Sequence, residues 1–255
     1  MLYSLLEAFA VYSRIPVPYL APKEGQRVYS ICFFPAVGAV IGLLSCLIFR
    51  IGEKAVSVGP FPSLLFPALL TALPLIITGG IHYDGFLDTS DARSSYRSRE
   101  EKLQIMKDPH TGAFAVMHGI LLILITFGFF SAADWQAMRI TGAGFVLSRA
   151  MSGFALLVFP KARKDGMLKA EADRQSSAVK YVMLAEMLLC TALMIALNPV
   201  RGGAGAAGAY VTFLLYRRTA LREFGGTSGD LAGWFLVRCE CAVLICAVSA
   251  GLCGF

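Results

Sequence analysis

Long apolar runs constrain this chain more than any other feature of its sequence. A helix needs roughly 20 apolar residues to cross the hydrocarbon core of a bilayer. Only 16% of the residues are charged, against about 25% in a typical soluble domain. We therefore predict an all-α fold, a polytopic membrane helical bundle with about seven transmembrane helices. The predicted crossings are 31–49, 61–79, 114–132, 140–159, 180–197, 205–216 and 231–254.

The segments around these runs indicate one domain. Residues 2–12 predict an amphipathic N-terminal helix that lies at the membrane interface. Arg14–Pro18 ends this helix, because proline restricts the residue before it. The crossing at 205–216 is short and rich in Gly and Ala. Since no polar linker separates two folded units, residues 1–255 are interpreted as a single integral membrane domain.

Basic residues are unevenly divided between the two predicted ends of the bundle. One end holds segments 1–30, 80–113, 160–180 and 217–230, with 17 Lys and Arg residues; the other end holds 4. Cytoplasmic segments of membrane proteins are enriched in Lys and Arg. The richer end is therefore predicted to face the cytoplasm. The net charge of +6 then follows from orientation and from anionic lipid or substrate, and we expect no nucleic-acid partner.

An acidic cluster follows the second apolar run. Asp84, Asp88 and Asp91 have the spacing i, i+4 and i+7, which places them on one face of a helix. Three bare carboxylates would repel one another, and a divalent cation removes that cost. Oxygen ligands favour Mg²⁺ or Mn²⁺, and Mg²⁺ typically binds a few carboxylates together with substrate phosphates. The cluster predicts a Mg²⁺ site for diphosphate chemistry; the alternative is a solvated helix start.

Two more polar stretches belong to the same predicted end. Asp108 either completes the metal shell, acts as a base, or caps the next helix with Pro109 just inside it. Gly225 and Gly226 either form a loop that cradles a phosphate or form a simple turn before Asp230 as a helix cap.

Two arginines fall within predicted crossings. Arg149 and Arg238 must face a cavity or a partner, because charge at membrane depth is costly. Glu186 and Glu240 are candidate partners, and either arginine is alternatively a ligand for substrate phosphate.

The motifs resemble one family. Gly79–Asp91, Gly-Gly-Ile-His-Tyr-Asp-Gly-Phe-Leu-Asp-Thr-Ser-Asp, resembles the signature of the cobalamin synthase family, G-G-x-H-x-D-G-x-x-D-T-x-D. The chain departs from the family pattern at Ala92 and at Thr227-Ser228, which bears on fine substrate contacts rather than on the acidic cluster. Further stretches resemble family motifs in the same order: Arg14–Pro18, Lys102–Asp108, Ser148-Arg149, Ala162-Arg163 with Gly166, and Gly225–Asp230.

The resemblance implies a Mg²⁺-dependent enzyme of a bacterial or archaeal inner membrane. Members of this family join adenosylcobinamide-GDP to α-ribazole, or to its 5′-phosphate, and release GMP. In this chain Asp84, Asp88 and Asp91 would hold the metal. Asp88 or Asp108 would accept the proton of the ribazole hydroxyl. The implied substrate-binding residues are His82, Arg93, Lys107, Arg149, Gly225, Gly226 and Asp230.

Two other functions fit part of the pattern. Asp91-Ala92-Arg93 also resembles the CDP-alcohol phosphotransferases of phospholipid synthesis, but their full spacing is not reproduced. An ion-coupled transporter would use intramembrane carboxylates and should show inverted repeats. We see no clear repeat, and the acidic cluster lies at a predicted boundary rather than within a span.

Overall fold

The computed structural model describes residues 1–18, 29–162 and 178–254. Within these ranges the chain is helical, without β-strands, which confirms the predicted fold class. A 3₁₀ turn, Ser30–Phe33, precedes α2. The helices are α1 (Leu2–Tyr12), α2 (Phe34–Val58), α3 (Leu65–Thr78), α4 (Ile81–Ser94), α5 (Arg99–Ile105), α6 (Ala113–Ser131), α7 (Trp135–Val158), α8 (Val179–Leu197), α9 (Pro199–Thr219) and α10 (Gly229–Leu252).

Each predicted apolar segment lies within or largely overlaps a helix. In the described ranges, α2 with its preceding turn, α6, α7, α8 and α10 are long and apolar enough to cross a membrane. The bent pair of α3 and α4 adds a sixth span if it is counted as one. Helix α9 is longer than predicted, because Asn198 caps it and Pro199 occupies its first position. Because α9 is rich in Gly, it is not counted among the apolar spans, and the five or six that are counted in the described ranges agree roughly with the predicted number of about seven.

Helix α7 forms the centre of the bundle. It packs against α2, α8, α9 and α10, and 78% of its apolar stretch is buried inside the protein. Helices α6 and α8 are peripheral, because only 28% and 22% of their apolar stretches are buried. The predicted N-terminal helix is confirmed as α1, whose Phe9 and Tyr12 pack on a small core cluster with Val37 and Ile41 of α2.

Segments predicted to share one end of the bundle do meet in space. At the basic end, Arg93 of the 80–113 segment pairs with Glu223 of the 217–230 segment at 3.0 Å. At the other end, Asp134 pairs with Arg201 at 2.5 Å. This arrangement confirms how the predicted segments are divided between the two ends. The assignment of the basic end to the cytoplasm stays a prediction.

A sharp bend joins the apolar helix α3 to the polar helix α4. The two helix axes differ by 95°. Gly79 and Gly80 lie at the bend with φ of +64° and +82°, values that favour glycine because it has no Cβ. The backbone N–H of Gly80 donates to Leu75 O at 3.0 Å and closes the end of α3. The bend therefore starts the acidic helix directly at the end of an apolar one.

Candidate active site

The three predicted carboxylates lie along α4. Since α4 spans Ile81–Ser94, a rotation of about 100° per residue places Asp84, Asp88 and Asp91 on one face, which we call the aspartate face. Asp84 is exposed, and the other two are half-buried. Among the described residues, no hydrogen bond or ion pair to any of the three side-chain carboxylates is found. Their negative charge is therefore not neutralised within this part of the protein.

Helix α10 brings a fourth carboxylate to this face. Asp88 lies close enough to feel the negative charges of Asp84, Asp230 and Asp91. The approach depends on Gly85, because a Cβ there would lie 2.7 Å from the Cα of Asp230. Asp230 itself lies in the first turn of α10, whose N-cap is Ser228. The interpretation of Asp230 as the helix cap is thus wrong, since the Ser228 hydroxyl already accepts from Leu231 N at 3.2 Å.

The aspartate face matches Mg²⁺ in chemistry rather than in preformed geometry. Within the described ranges, no three His, Cys, Asp or Glu side chains are placed to hold one ion. Bare carboxylates stay apart because like charges repel. Mg²⁺ usually keeps several waters and takes one or two carboxylates together with substrate phosphates. Unpaired oxygen donors at an accessible face fit such an ion, and Mg²⁺ binding stays a prediction.

The second polar stretch lies against the aspartate face through Gly112. A Cβ on Gly112 would overlap the carboxylate of Asp91. Asp108 is exposed, and its Oδ1 accepts from the backbone N–H of His110 at 2.9 Å and lies 2.7 Å from its Nδ1. Helix α6 begins at Ala113 with Gly112 as N-cap, so Asp108 does not cap it. The backbone and ring hydrogen bonds of His110 hold the pKa of Asp108 below its usual value.

The glycine-rich loop is committed to internal contacts. Gly225 has a φ of +73°. The N–H of Gly226 donates to Ala220 O at 2.8 Å, and the N–H of Thr227 donates to Pro160 O at 2.7 Å. A phosphate cradle needs free backbone N–H groups, and these two are already used. The loop therefore has a packing reason for its glycines, and substrate binding by Gly225 and Gly226 stays a prediction.

Comparison with known proteins shows the family of this chain. A sequence model described as cobalamin-5-phosphate synthase matches residues 4–248. The chain belongs to the cobalamin-5-phosphate synthase family. It is thus a membrane transferase of cobalamin biosynthesis, and the match over nearly the whole chain separates it from the CDP-alcohol phosphotransferases and from transporters.

Several curated relatives of this synthase family carry the name adenosylcobinamide-GDP ribazoletransferase. One from Lachnoclostridium phytofermentans is 42% identical over 243 residues, covering 94% of this chain and 90% of the relative. One from Stutzerimonas stutzeri is 34% identical, with 94% and 96% covered. One from Pseudomonas entomophila is 33% identical, with 88% and 89% covered. No solved structure matches this chain.

A buried ion pair holds the centre of this synthase-family bundle. Arg149 is fully buried, and its Nη1 lies 2.6 Å from Glu240 Oε1 and 2.9 Å from Phe145 O. Of the predicted partners, Glu240 is therefore confirmed. Nε and Nη2 of Arg149 have no hydrogen-bond partner among the described residues, and neither has Nε2 of the buried His82. Both side chains are enclosed by the bundle. Substrate binding by Arg149 and His82 stays a prediction.

Arg93 extends from the other side of α4. Its Nε and Nη2 lie 3.1 and 3.0 Å from Glu223 Oε1, and Lys102 Nζ lies 2.9 Å from Glu223 Oε2. Glu223 sits in a short π-helical turn, Ala220–Phe224, after α9. Burial alone would raise the pKa of Glu223, but the hydrogen bonds from Arg93 and Lys102 hold it below its usual value. Sequence reasoning missed Glu223; its only signal is an acidic residue within a basic segment.

The remaining predicted residues are either exposed or outside the described ranges. Lys107 is exposed in the 106–112 stretch, and substrate binding by it stays a prediction. The motif residues Arg163 and Gly166, and most of the basic segment 161–174, lie outside the described residues.

Proposed function

We propose that this chain transfers the adenosylcobinamide-phosphate group from adenosylcobinamide-GDP to α-ribazole, or to α-ribazole 5′-phosphate, and releases GMP. The substrates are suggested by the names of its relatives. The observation that carries the proposal is the aspartate face itself, where unpaired carboxylates of α4 meet Asp230 of α10. This face suits a diphosphate that arrives with a divalent cation.

Asp84, Asp88 and Asp91 would hold Mg²⁺. When bound, the ion neutralises negative charge on the diphosphate and on the departing GMP. Phosphoryl transfer otherwise depends mostly on positioning and on electrostatics. Gly85 and Gly112 would help to position the carboxylates, because they let α10 and the 106–112 stretch lie close to the aspartate face.

The proton of the acceptor passes to a carboxylate. A hydroxyl oxygen of the ribazole attacks the phosphorus that carries cobinamide, a new P–O bond forms, and the P–O bond to GMP breaks. Asp88 would take this proton through the carboxylate oxygen that is not bound to Mg²⁺, and its half-buried position among other carboxylates makes that oxygen more basic. Asp108 is exposed, and the hydrogen bonds of His110 hold its pKa low, which makes it a weaker proton acceptor.

The basic end of the bundle, with the aspartate face, would lie in the cytoplasm. The support is the excess of Lys and Arg at that end. A test uses Tyr96, which is 93% exposed there. A maleimide that cannot cross membranes should label Tyr96→Cys above the wild-type level in inverted vesicles and not in intact cells; the opposite pattern would reverse the orientation.

The activity is tested with purified protein in lipid vesicles. GMP release is measured with GDP-cobinamide and α-ribazole, with Mg²⁺ and then with excess chelator. We expect release that requires both substrates and the metal. A matched reaction supplies CDP-diacylglycerol and a polyol phosphate. CMP release there, without GMP release from the first pair, would contradict the proposal and favour a phospholipid-synthesising enzyme.

A further inference from the structure

A cavity lies on the side of α4 away from the aspartate face. It has a volume of about 650 Å³ and is bounded by α4, α5, α6, α10 and the turn Ala220–Phe224. Phe86 and Arg93 of α4 line it, and they are rotated about 200° and 180° from Asp84 around the helix. The aspartates do not line this cavity, so it is separate from the proposed catalytic face.

Unbalanced positive charge marks one wall of the cavity. Arg93, Lys102 and Arg238 line it, and Glu223 is the one carboxylate that lines it among the residues the structure describes. Glu223 is shared between Arg93 and Lys102. Three cations against one carboxylate leave an excess of two positive charges at this wall.

Within the described ranges, Arg238 is the cavity cation that has no anionic partner. No hydrogen bond or ion pair to it is found in the described part of the chain. Its guanidinium carbon lies 4.4 Å from the centroid of the Trp234 ring, and that of Arg93 lies 5.1 Å from the same ring. Cation–π contact orients both groups without neutralising them. An arginine at such a position in a membrane protein usually pairs with an anion.

The part of the lining that belongs to the peripheral helix α6 is apolar except for His118. Leu121, Leu122 and Ile125 of α6 line the cavity. Leu121 is 55% exposed, and its neighbours on the outer surface of α6, Met117 and Leu124, are 54% and 60% exposed. Since α6 is a candidate span, this surface faces acyl chains. The cavity therefore combines cations from α4, α5 and α10 with leucine and isoleucine side chains of a membrane-facing helix.

We propose that this cavity binds an anionic glycerophospholipid. The phosphate sits between Arg93 and Arg238, and one acyl chain leaves past Leu121 along α6. A soluble phosphate would use the same cations but gains nothing from the apolar side chains of α6, whose burial favours an amphiphile. A zwitterionic lipid would cover these side chains but leave the excess positive charge unmatched.

Trp234 provides a local probe of this site. The chain has two tryptophans, and Trp135→Phe leaves Trp234 as the only one. Trp234 lines the cavity and is 3% exposed, so bromine atoms on a lipid chain quench it only from within or beside the cavity. The protein is held in neutral-detergent micelles and titrated with brominated phosphatidylglycerol or with brominated phosphatidylcholine.

We expect saturable quenching at an about tenfold lower concentration of the anionic lipid than of the zwitterionic one. Unlabelled phosphatidylglycerol should reverse it, and inorganic phosphate should not. Arg238→Gln should abolish the preference. Arg218→Gln, which removes an exposed arginine at the end of α9, is the matched control and should keep it.

A second variant guards against misfolding of Arg238→Gln. Ser94 lines the cavity and is half-buried, so Ser94→Asp adds a negative charge there without removing an arginine, and it should also abolish the preference. Equal quenching by both lipids in the starting protein would overturn the proposal. So would displacement by inorganic phosphate, or an unchanged preference in both cavity variants.

Discussion

Gly85 of α4 lies directly against the backbone of Asp230 in α10. A Cβ on Gly85 would lie 2.7 Å from both the Cα and the carbonyl oxygen of Asp230. One turn along the same contact, Gly233 lies against the backbone of His82. Small residues let membrane helices approach closely. In this protein the close approach has a chemical consequence, because it adds the Asp230 carboxylate to the aspartate face.

Replacing this glycine should separate the two helices. We expect Gly85→Ala to lower stability by about 1–3 kcal/mol, the usual cost of overpacking a tight contact, and to slow GMP release. Thermal unfolding in detergent and steady-state turnover measure the two effects. Gly128→Ala is the matched control, because nothing lies within 4 Å of a Cβ at Gly128. Wild-type turnover in Gly85→Ala would show that the reaction does not need this approach.

Gly112 offers a test that leaves the helix contacts alone. A methyl group there would overlap the Asp91 carboxylate and displace it or the 106–112 stretch. We expect Gly112→Ala to raise the Mg²⁺ concentration needed for half-maximal GMP release by about tenfold, as expected when a metal ligand loses its orientation. Gly229→Ala, with open space at the Cβ, should keep the wild-type requirement. A metal requirement that is unchanged in Gly112→Ala would argue against Asp91 as a ligand.

The buried pair of Arg149 and Glu240 should behave as one unit. Removing either partner leaves an uncompensated charge and costs about 3–5 kcal/mol. We therefore expect Arg149→Met and Glu240→Leu to be strongly destabilised, and the double variant to be more stable than the sum of their effects predicts. Denaturation curves of the three variants measure the coupling. GMP release by the double variant then tests the predicted substrate role of Arg149, because lost turnover in a stable protein would support it.

Glu223 predicts a pH dependence. Its pKa lies below the usual value because Arg93 and Lys102 bind it. Its contribution to stability is therefore complete above the pKa of an unfolded glutamate, about 4.3, and is lost as pH falls through the lower folded pKa. The difference in unfolding temperature between wild type and Glu223→Gln should shrink as pH falls from neutral into this range.

The control for this titration is Glu100→Gln, an exposed carboxylate at the start of α5. It should give a small difference at every pH. A difference for Glu223→Gln that grows on acidification would have the wrong sign for a stabilising carboxylate.

Patterns within short stretches of the sequence predicted the helices and the position of the three aspartates on one helix. Apolar runs located the membrane helices, because burial in lipid depends on composition along a continuous segment. Residues 2–12 matched α1, and the spacing of three aspartates matched a helix. Helix α9 was predicted too short, since the sequence signal is apolarity while the real start is set by the Asn198 cap and Pro199.

Long-range pairing was harder to predict. Nothing in the local sequence assigns Arg93 to Glu223, which is 130 residues away, so the cavity behind α4 was not foreseen. Gly226 lies against Pro160 O and Gly225 against the Arg99 guanidinium, partners that only the fold supplies. Asp108 was expected as a cap, a base or a ligand, and its hydrogen bonds with His110 reflect a turn that the sequence leaves open.

The proposed reaction depends on metal chemistry at the aspartate face, and the rate of GMP release by Asp84→Asn tests this dependence most directly. At saturating Mg²⁺ and both substrates, we predict a loss of at least about a hundredfold, because removing a ligand forfeits several kcal/mol of charge stabilisation. Unfolding curves should show the protein intact, and Glu100→Gln should turn over normally. Wild-type release of GMP by folded Asp84→Asn would contradict the assignment of this face.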